Sequence, residues 1–282
     1  MRGLGGSYRA RDAAGLALCS LSLLGCVLGF RGEAAFFGEH DLSQTEELRI
    51  SLPDTPLSIV ACAADDAQNC PPALLYDGRW LSVAGSRADA RADAATPTLR
   101  FERDDGFATL AAEVPLAVDG AVDLVMGQLQ LPDDRHIDAR TGVGDVSVRG
   151  TEASVVVDID VGDVEIRGAD GGLAVRTGQG TIDVVTPGHA ELRTGAGSVQ
   201  VEQSGDPRDL TVQTGQGSIT VTVASDADID LSVRTRGRIV VRTPSITTVT
   251  SGRFERRNGN GSISVVLDSP AGDIEVRSVD PG

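Results

Sequence analysis

Lysine is missing: all 25 basic residues of this 282-residue chain are arginine. That bias reads as genomic base composition, not function. Aromatic residues make up only 3 %, so the platforms on which single-stranded nucleic acids stack are lacking. Acidic residues outnumber basic ones by 41 to 25, for a net charge of −16. A surface of that sign repels nucleic-acid phosphates and anionic lipid headgroups, and no nucleic-acid partner is expected. The three histidines, His40, His136 and His189, lie far apart. Each is read as a surface or turn residue, and no metal or cofactor is expected. No Gly-x-Ser-x-Gly, His-Glu-x-x-His or phosphate-loop pattern occurs, and no catalytic residue is assigned. No amphipathic helical pattern stands out after the first thirty residues. The Ala/Asp/Arg-rich stretch between Ser86 and Pro97 reads as an exposed loop.

Cysteine is scarce too, with four in the chain. The first thirty residues have the layout of an export signal: Arg2, Arg9 and Arg11, then an apolar run from Ala13 to Leu24. The run ends in Leu23-Leu24-Gly25-Cys26, which resembles a bacterial lipobox. That resemblance implies cleavage before Cys26, lipid on its thiol, and a membrane anchor in the cell envelope. Two or three acyl chains, at about 0.8 kcal/mol per buried methylene, would hold it there. Cys19 lies in the discarded segment. Cys62 and Cys70 remain, eight residues apart, and in an exported protein such a pair is expected to form a disulfide.

What the chain does have is a phrase that recurs eight times: Gly, a small or polar residue, then two aliphatics flanking one residue that is polar in seven copies. The copies begin at Gly144, Gly162, Gly180, Gly197, Gly217, Gly237, Gly261 and Gly272. Steps of 17 to 20 residues dominate the spacing, and such a period means stacked units that bury their apolar faces against one another. Alternation of Val and Ile with polar residues predicts strands with one buried face. Val146, Val164, Ile182, Val199, Ile219, Ile239, Ile263 and Ile274 would form one internal column. Val148, Ile166, Val184, Val201, Val221, Val241, Val265 and Val276 would form a second.

A strand is expected before each glycine as well, as at Leu173, Val175 and Thr177. The corner between strands reads Thr-Gly-x-Gly at Thr141, Thr177, Thr194 and Thr214, with glycine supplying the turn. The predicted fold is all-β: a single-stranded β-solenoid, β-helix-like, of about eight short rungs with an irregular β N-terminal cap. The expected layout is a signal peptide over 1–25, a tether over 26–44, an irregular β region over 45–131 and the repeat domain over 132–282. The stretch Pro244–Asn258 reads as a capping insertion, with a binding loop at Arg253, Phe254, Arg256 and Arg257 as the alternative.

The phrase Thr-x-x-Gly-Asp-x-x-Val, as in Thr141–Val148, resembles the bacterial putative-adhesin family, surface proteins of unknown function built as β-solenoids. The likeness covers roughly residues 100–280. It implies an envelope location and an adhesion or sensing role, and it brings no catalytic residues.

The outward acids Asp145, Asp163, Glu165, Asp183, Asp273 and Glu275 invite comparison with a glycosidase, which needs two carboxylates facing one bond about 5–9 Å apart. They also invite comparison with calcium-binding repeats, but Asp follows the glycine in only three copies. Both are outweighed by a solvated acidic surface. The leading function is therefore a non-enzymatic envelope lipoprotein offering a rigid acidic surface to a protein or glycan. The alternatives are an envelope-stress sensor and a glycan-processing enzyme.

Overall fold

A computed structural model describes residues 30–62, 70–115, 121–205, 208–225, 227–243, 246–257 and 259–279. The N-terminal part holds β1 (Phe30–Asp41), β2 (Glu47–Leu52), β3 (Leu57–Cys62), β4 (Ala73–Ala84), helix α1 (Arg87–Ala95), β5 (Thr98–Asp104), β6 (Phe107–Glu113) and β7 (Ala121–Pro132). The repeats supply β8 (His136–Val143), β9 (Val146–Thr151), β10 (Val155–Val161), β11 (Val164–Ala169), β12 (Leu173–Gln179), β13 (Ile182–Thr186), β14 (Ala190–Ala196), β15 (Val199–Gln203), β16 (Leu210–Gln216) and β17 (Ile219–Ala224). The last four are β18 (Ile229–Thr243), β19 (Ile246–Arg257), β20 (Ile263–Ser269) and β21 (Ile274–Val279). The protein is all-β apart from α1, and its strands form one continuous, nearly closed, barrel-like sheet. No helix among the described residues is long and apolar enough to cross a membrane.

In the middle of the chain each strand pairs in parallel with the strand two places on. One ladder runs β8–β10–β12–β14–β16 and the other β9–β11–β13–β15–β17. The strand period of two puts Val146, Val164, Ile182, Val199 and Ile219 in one row. Ile137, Val155, Leu173, Ala190 and Leu210 form a row in the other ladder. Both rows are buried in one core. Each large aliphatic side chain so buried contributes roughly 1.5–3 kcal/mol.

The regular coil expected from the sequence is realised only in part, because chain order breaks at both poles. At the C-terminal pole β20 sits between β16 and β18, and β21 between β17 and β18. β18 is long enough to serve both ladders, and β19 closes the stack as an antiparallel partner. At the other pole β2 and β3 lie inside, against β8 and β9, while β6 and β7 lie outside them. Antiparallel β5 covers β6, and β4 followed by β1 covers β7. Strands β2, β3, β20 and β21 are thereby bonded on both edges, and the outermost places go to the antiparallel strands β1, β5 and β19. This guards against fraying and limits open sheet edges.

Four local expectations change accordingly. Gly261 is not a corner glycine: Ile263 and Val265 align with Ile229 and Leu231 in the pre-corner ladder. The true corner of that unit is Ser269-Pro270-Ala271-Gly272, and Val265 therefore leaves the column to which its phrase assigned it. Residues 30–41 of the expected tether form β1, paired along its length with β4. β7 crosses the soft boundary near residue 132, and the region 45–131 is continuous with the repeat sheet. The stretch after Ser86 is a helix, capped by the Ser86 hydroxyl accepting from the Asp89 N–H. Only Ala90 and Ala94 face inward, too little apolar bulk to show as periodicity.

Candidate functional site

The corner between the two ladders organises the outer surface. At Gly180 the backbone has φ +151°, and a Cβ there would lie 1.8 Å from the Gly162 carbonyl oxygen. Gly162, Gly197 and Gly217 repeat that approach to the unit before them. The same contact links Gly272 to Gly217 and Gly237 to Gly272, so seven of the eight expected corner glycines belong to one column that begins at Gly144. Only glycine lets adjacent backbones come this close.

Where a threonine opens the corner, as at Thr177, Thr194 and Thr214, its hydroxyl bonds the corner-glycine carbonyl of the neighbouring unit. Thr177 Oγ1 donates to Gly162 O at 3.3 Å, Thr194 to Gly180 O at 3.2 Å and Thr214 to Gly197 O at 3.0 Å. Ser269 takes the same role toward Gly217 O at 2.8 Å. The sequence shows these threonines only as inward residues. Their hydroxyls stitch each unit to its neighbour, and the signal for that was the substitution of Thr for an aliphatic at the last inward position.

Two grooves flank the corner. One, of about 440 Å³, is lined by Asp145, Asp163, Glu165 and Asp183 together with Ser58 and Met126. All four carboxylates are engaged. Asp145 Oδ1 accepts the Asp163 N–H at 2.9 Å, and Asp163 Oδ1 accepts the Thr181 N–H at 2.6 Å. Both Asp183 oxygens accept from the Arg167 guanidinium, at 3.0 and 2.6 Å. Glu165 accepts from Arg149 at 3.4 Å and lies 3.5 Å from Arg167. The acids expected as outward solvated groups thus bridge successive units. The other two candidates do the same. Asp273 Oδ1 accepts the Arg238 N–H at 2.8 Å. Glu275 is held by Arg277 and Arg242, and the Arg277 hydrogen bond keeps its carboxyl below the usual carboxylate range.

The other groove, of about 490 Å³, lies over Gly178 and Gly195 and is lined by Asp158, Arg176, Arg193 and Gln213. It mixes both signs of charge and holds no nucleophile–base pair. Among the described residues no group of three or more His, Cys, Asp or Glu could hold a metal. His136 Nδ1 lies 2.7 Å from Ser154 Oγ, and His189 is exposed.

His40 is part of the N-terminal pole. Its ring stacks on Phe101 at 3.9 Å and bonds the Tyr76 hydroxyl at 3.0 Å. Burial, and then the Arg103 charge, push its pKa down. Cys62 and Cys70 are joined in a disulfide. Cys26 lies outside the described residues. Arg253, Phe254, Arg256 and Arg257 fall in strand β19 and not in a loop, with Phe254 half-buried against the core.

Compared with known proteins, the chain matches no family model and no curated protein. Solved structures do overlay on it. A putative cell adhesion protein from Clostridium sporogenes is 11 % identical, with a TM-score of 0.32, over 88 % of this chain and 100 % of that one. A putative adhesin from Bacteroides fragilis is 11 % identical, with a TM-score of 0.33, over 87 % and 97 %. A putative adhesin from Parabacteroides merdae is 11 % identical, with a TM-score of 0.27, over 87 % and 96 %.

Proposed function

We propose that the protein is a non-enzymatic envelope lipoprotein whose acidic β-solenoid body presents a rigid binding surface, as an adhesin scaffold does. The observation that carries this reading is the commitment of all four carboxylates in the groove lined by Asp145, Asp163, Glu165 and Asp183 to a backbone N–H or a guanidinium. A general acid must carry a proton and release it at the reacting bond. These carboxylates instead hold successive units in register. They form a fixed lattice of charge, which suits recognition of a complementary surface.

A lipid anchor at Cys26 would fit the same reading. Phe30, where the sheet begins, lies four residues beyond Cys26, so lipid there would hold the N-terminal pole close to the bilayer. A chain of net charge −16 is repelled by an anionic leaflet and needs such a tether to stay. The experiment is fractionation of cells expressing the chain and its Cys26→Ala variant. The parent is expected in the membrane fraction and the variant outside it; equal membrane partition of the two refutes the anchor. A glycan screen of the purified protein is expected to show no turnover, and turnover abolished by Glu165→Gln would contradict the non-enzymatic reading.

A further inference from the structure

Three strands have an edge with no strand partner among the described residues: β1, β5 and β19. Their charges differ. β1 carries three acids and one arginine, β5 two of each, and β19 three arginines against one glutamate. The hairpin β18–β19 as a whole holds seven arginines and two acids, in a chain whose net charge is −16. Arg238, Arg242, Arg253 and Arg257 each face a carboxylate. Arg234, Arg236 and Arg256 have no such partner among the described residues. Seven of the chain's 25 arginines thus fall in this one hairpin, whose outer strand β19 leaves a twelve-residue edge with no strand partner among the described residues.

We infer that β19 is a docking edge for an extended acidic polypeptide, which adds to the sheet as a further strand. The strand's two faces define the partner. Arg257, Glu255 and Arg253 lie opposite the outward residues Asp230, Ser232 and Arg234 of β18. Phe254 and Thr250 lie opposite the inward residues Val233 and Ile239. A strand beside β19 would place carboxylates next to Arg253 and Arg257 on one face, and on the other an apolar side chain beside Phe254 and a carboxylate beside Arg256, which lies opposite Leu231. Alternating acidic and β-branched residues meet the first two demands, while the free N–H and C=O groups supply main-chain bonds. A polysaccharide would use the charge and leave the strand edge unused. A second copy would bring its own charge of −16 against the first. A short segment feels mainly the local arginines, since screening acts over about 8 Å at physiological salt. The inference does not depend on the anchor.

The test uses the full chain and a fluorescein-labelled peptide of six Glu-Val repeats. Expected are saturable binding that weakens with salt, and slowed amide exchange across 246–257. Arg253→Gln with Arg257→Gln is expected to weaken binding about tenfold with thermal unfolding unchanged, while Arg100→Gln with Arg103→Gln on β5 leaves it intact. Any of four results would overturn the inference. One is equal binding by the β19 variant. Another is binding of polygalacturonate with no binding of the peptide, or peptide binding without exchange protection in β19. The last is concentration-dependent dimerisation that protects β19 and excludes the peptide.

Discussion

The corner glycines and threonines show how single residues set the spacing of the whole stack. A methyl at residue 180 would sit 1.8 Å from the Gly162 carbonyl oxygen, far inside contact distance. Gly180→Ala must push two units apart and is expected to leave the chain unfolded or degraded. Thr194→Val keeps the shape and removes one hydroxyl bond to Gly180 O. It is expected to cost about 1 kcal/mol, read as a lower denaturation midpoint with an unchanged slope. At the N-terminal pole His40 gives a pH effect of defined sign. Its folded pKa lies below the ordinary value of 6.5. The stabilisation it provides is complete above that value and is lost as pH falls through the folded pKa. Acidification below about pH 6.5 should therefore raise amide exchange in β1 and β5. His40→Phe keeps the stack on Phe101 and should abolish the pH dependence; an unchanged profile in the variant would assign it to another group.

Strands, corners and the two inward rows between residues 137 and 221 were legible in the sequence, because period two and paired glycines have few other meanings. What was not legible follows from the same physics. The phrase at Gly261 has the right residues, yet Ser269 and Gly272 supply the corner and Val265 falls in the other ladder. Sequence order cannot reveal which unit stacks on which, since every apolar face in the series suits every other. The interchange at each pole is a choice about edges, made by parallel pairings between strands far apart in sequence. α1 was hidden because alanines fill its inward positions, and β1 because a strand beside β4 needs little bulk: Gly32, Gly38 and Gly78 all lie in close contact there. The Cys62–Cys70 disulfide joins the end of β3 to the segment leading into β4. Opening it is expected to cost about 2–3 kcal/mol through the freed loop. Calorimetry with and without reductant should show the loss, and identical melting curves would assign the pole's stability to packing alone.

At the scale of the molecule, one filled core is flanked by acidic side chains that bridge successive units, and the β18–β19 hairpin closes one pole. The lattice extends to Asp273 and Glu275 only if the ladders stack in the order β16, β20, β18, because that order brings the Gly272 corner and its acids into line with the rest. Thr211 is the register partner of Val266, and Val266 in turn of Ser232, so Thr211 and Ser232 are two strands apart. Oxidative cross-linking of paired cysteine variants, read by peptide mass mapping, measures this directly. Thr211→Cys with Val266→Cys should cross-link readily and Thr211→Cys with Ser232→Cys should not; the opposite pattern would show units stacked in chain order and would contradict the account.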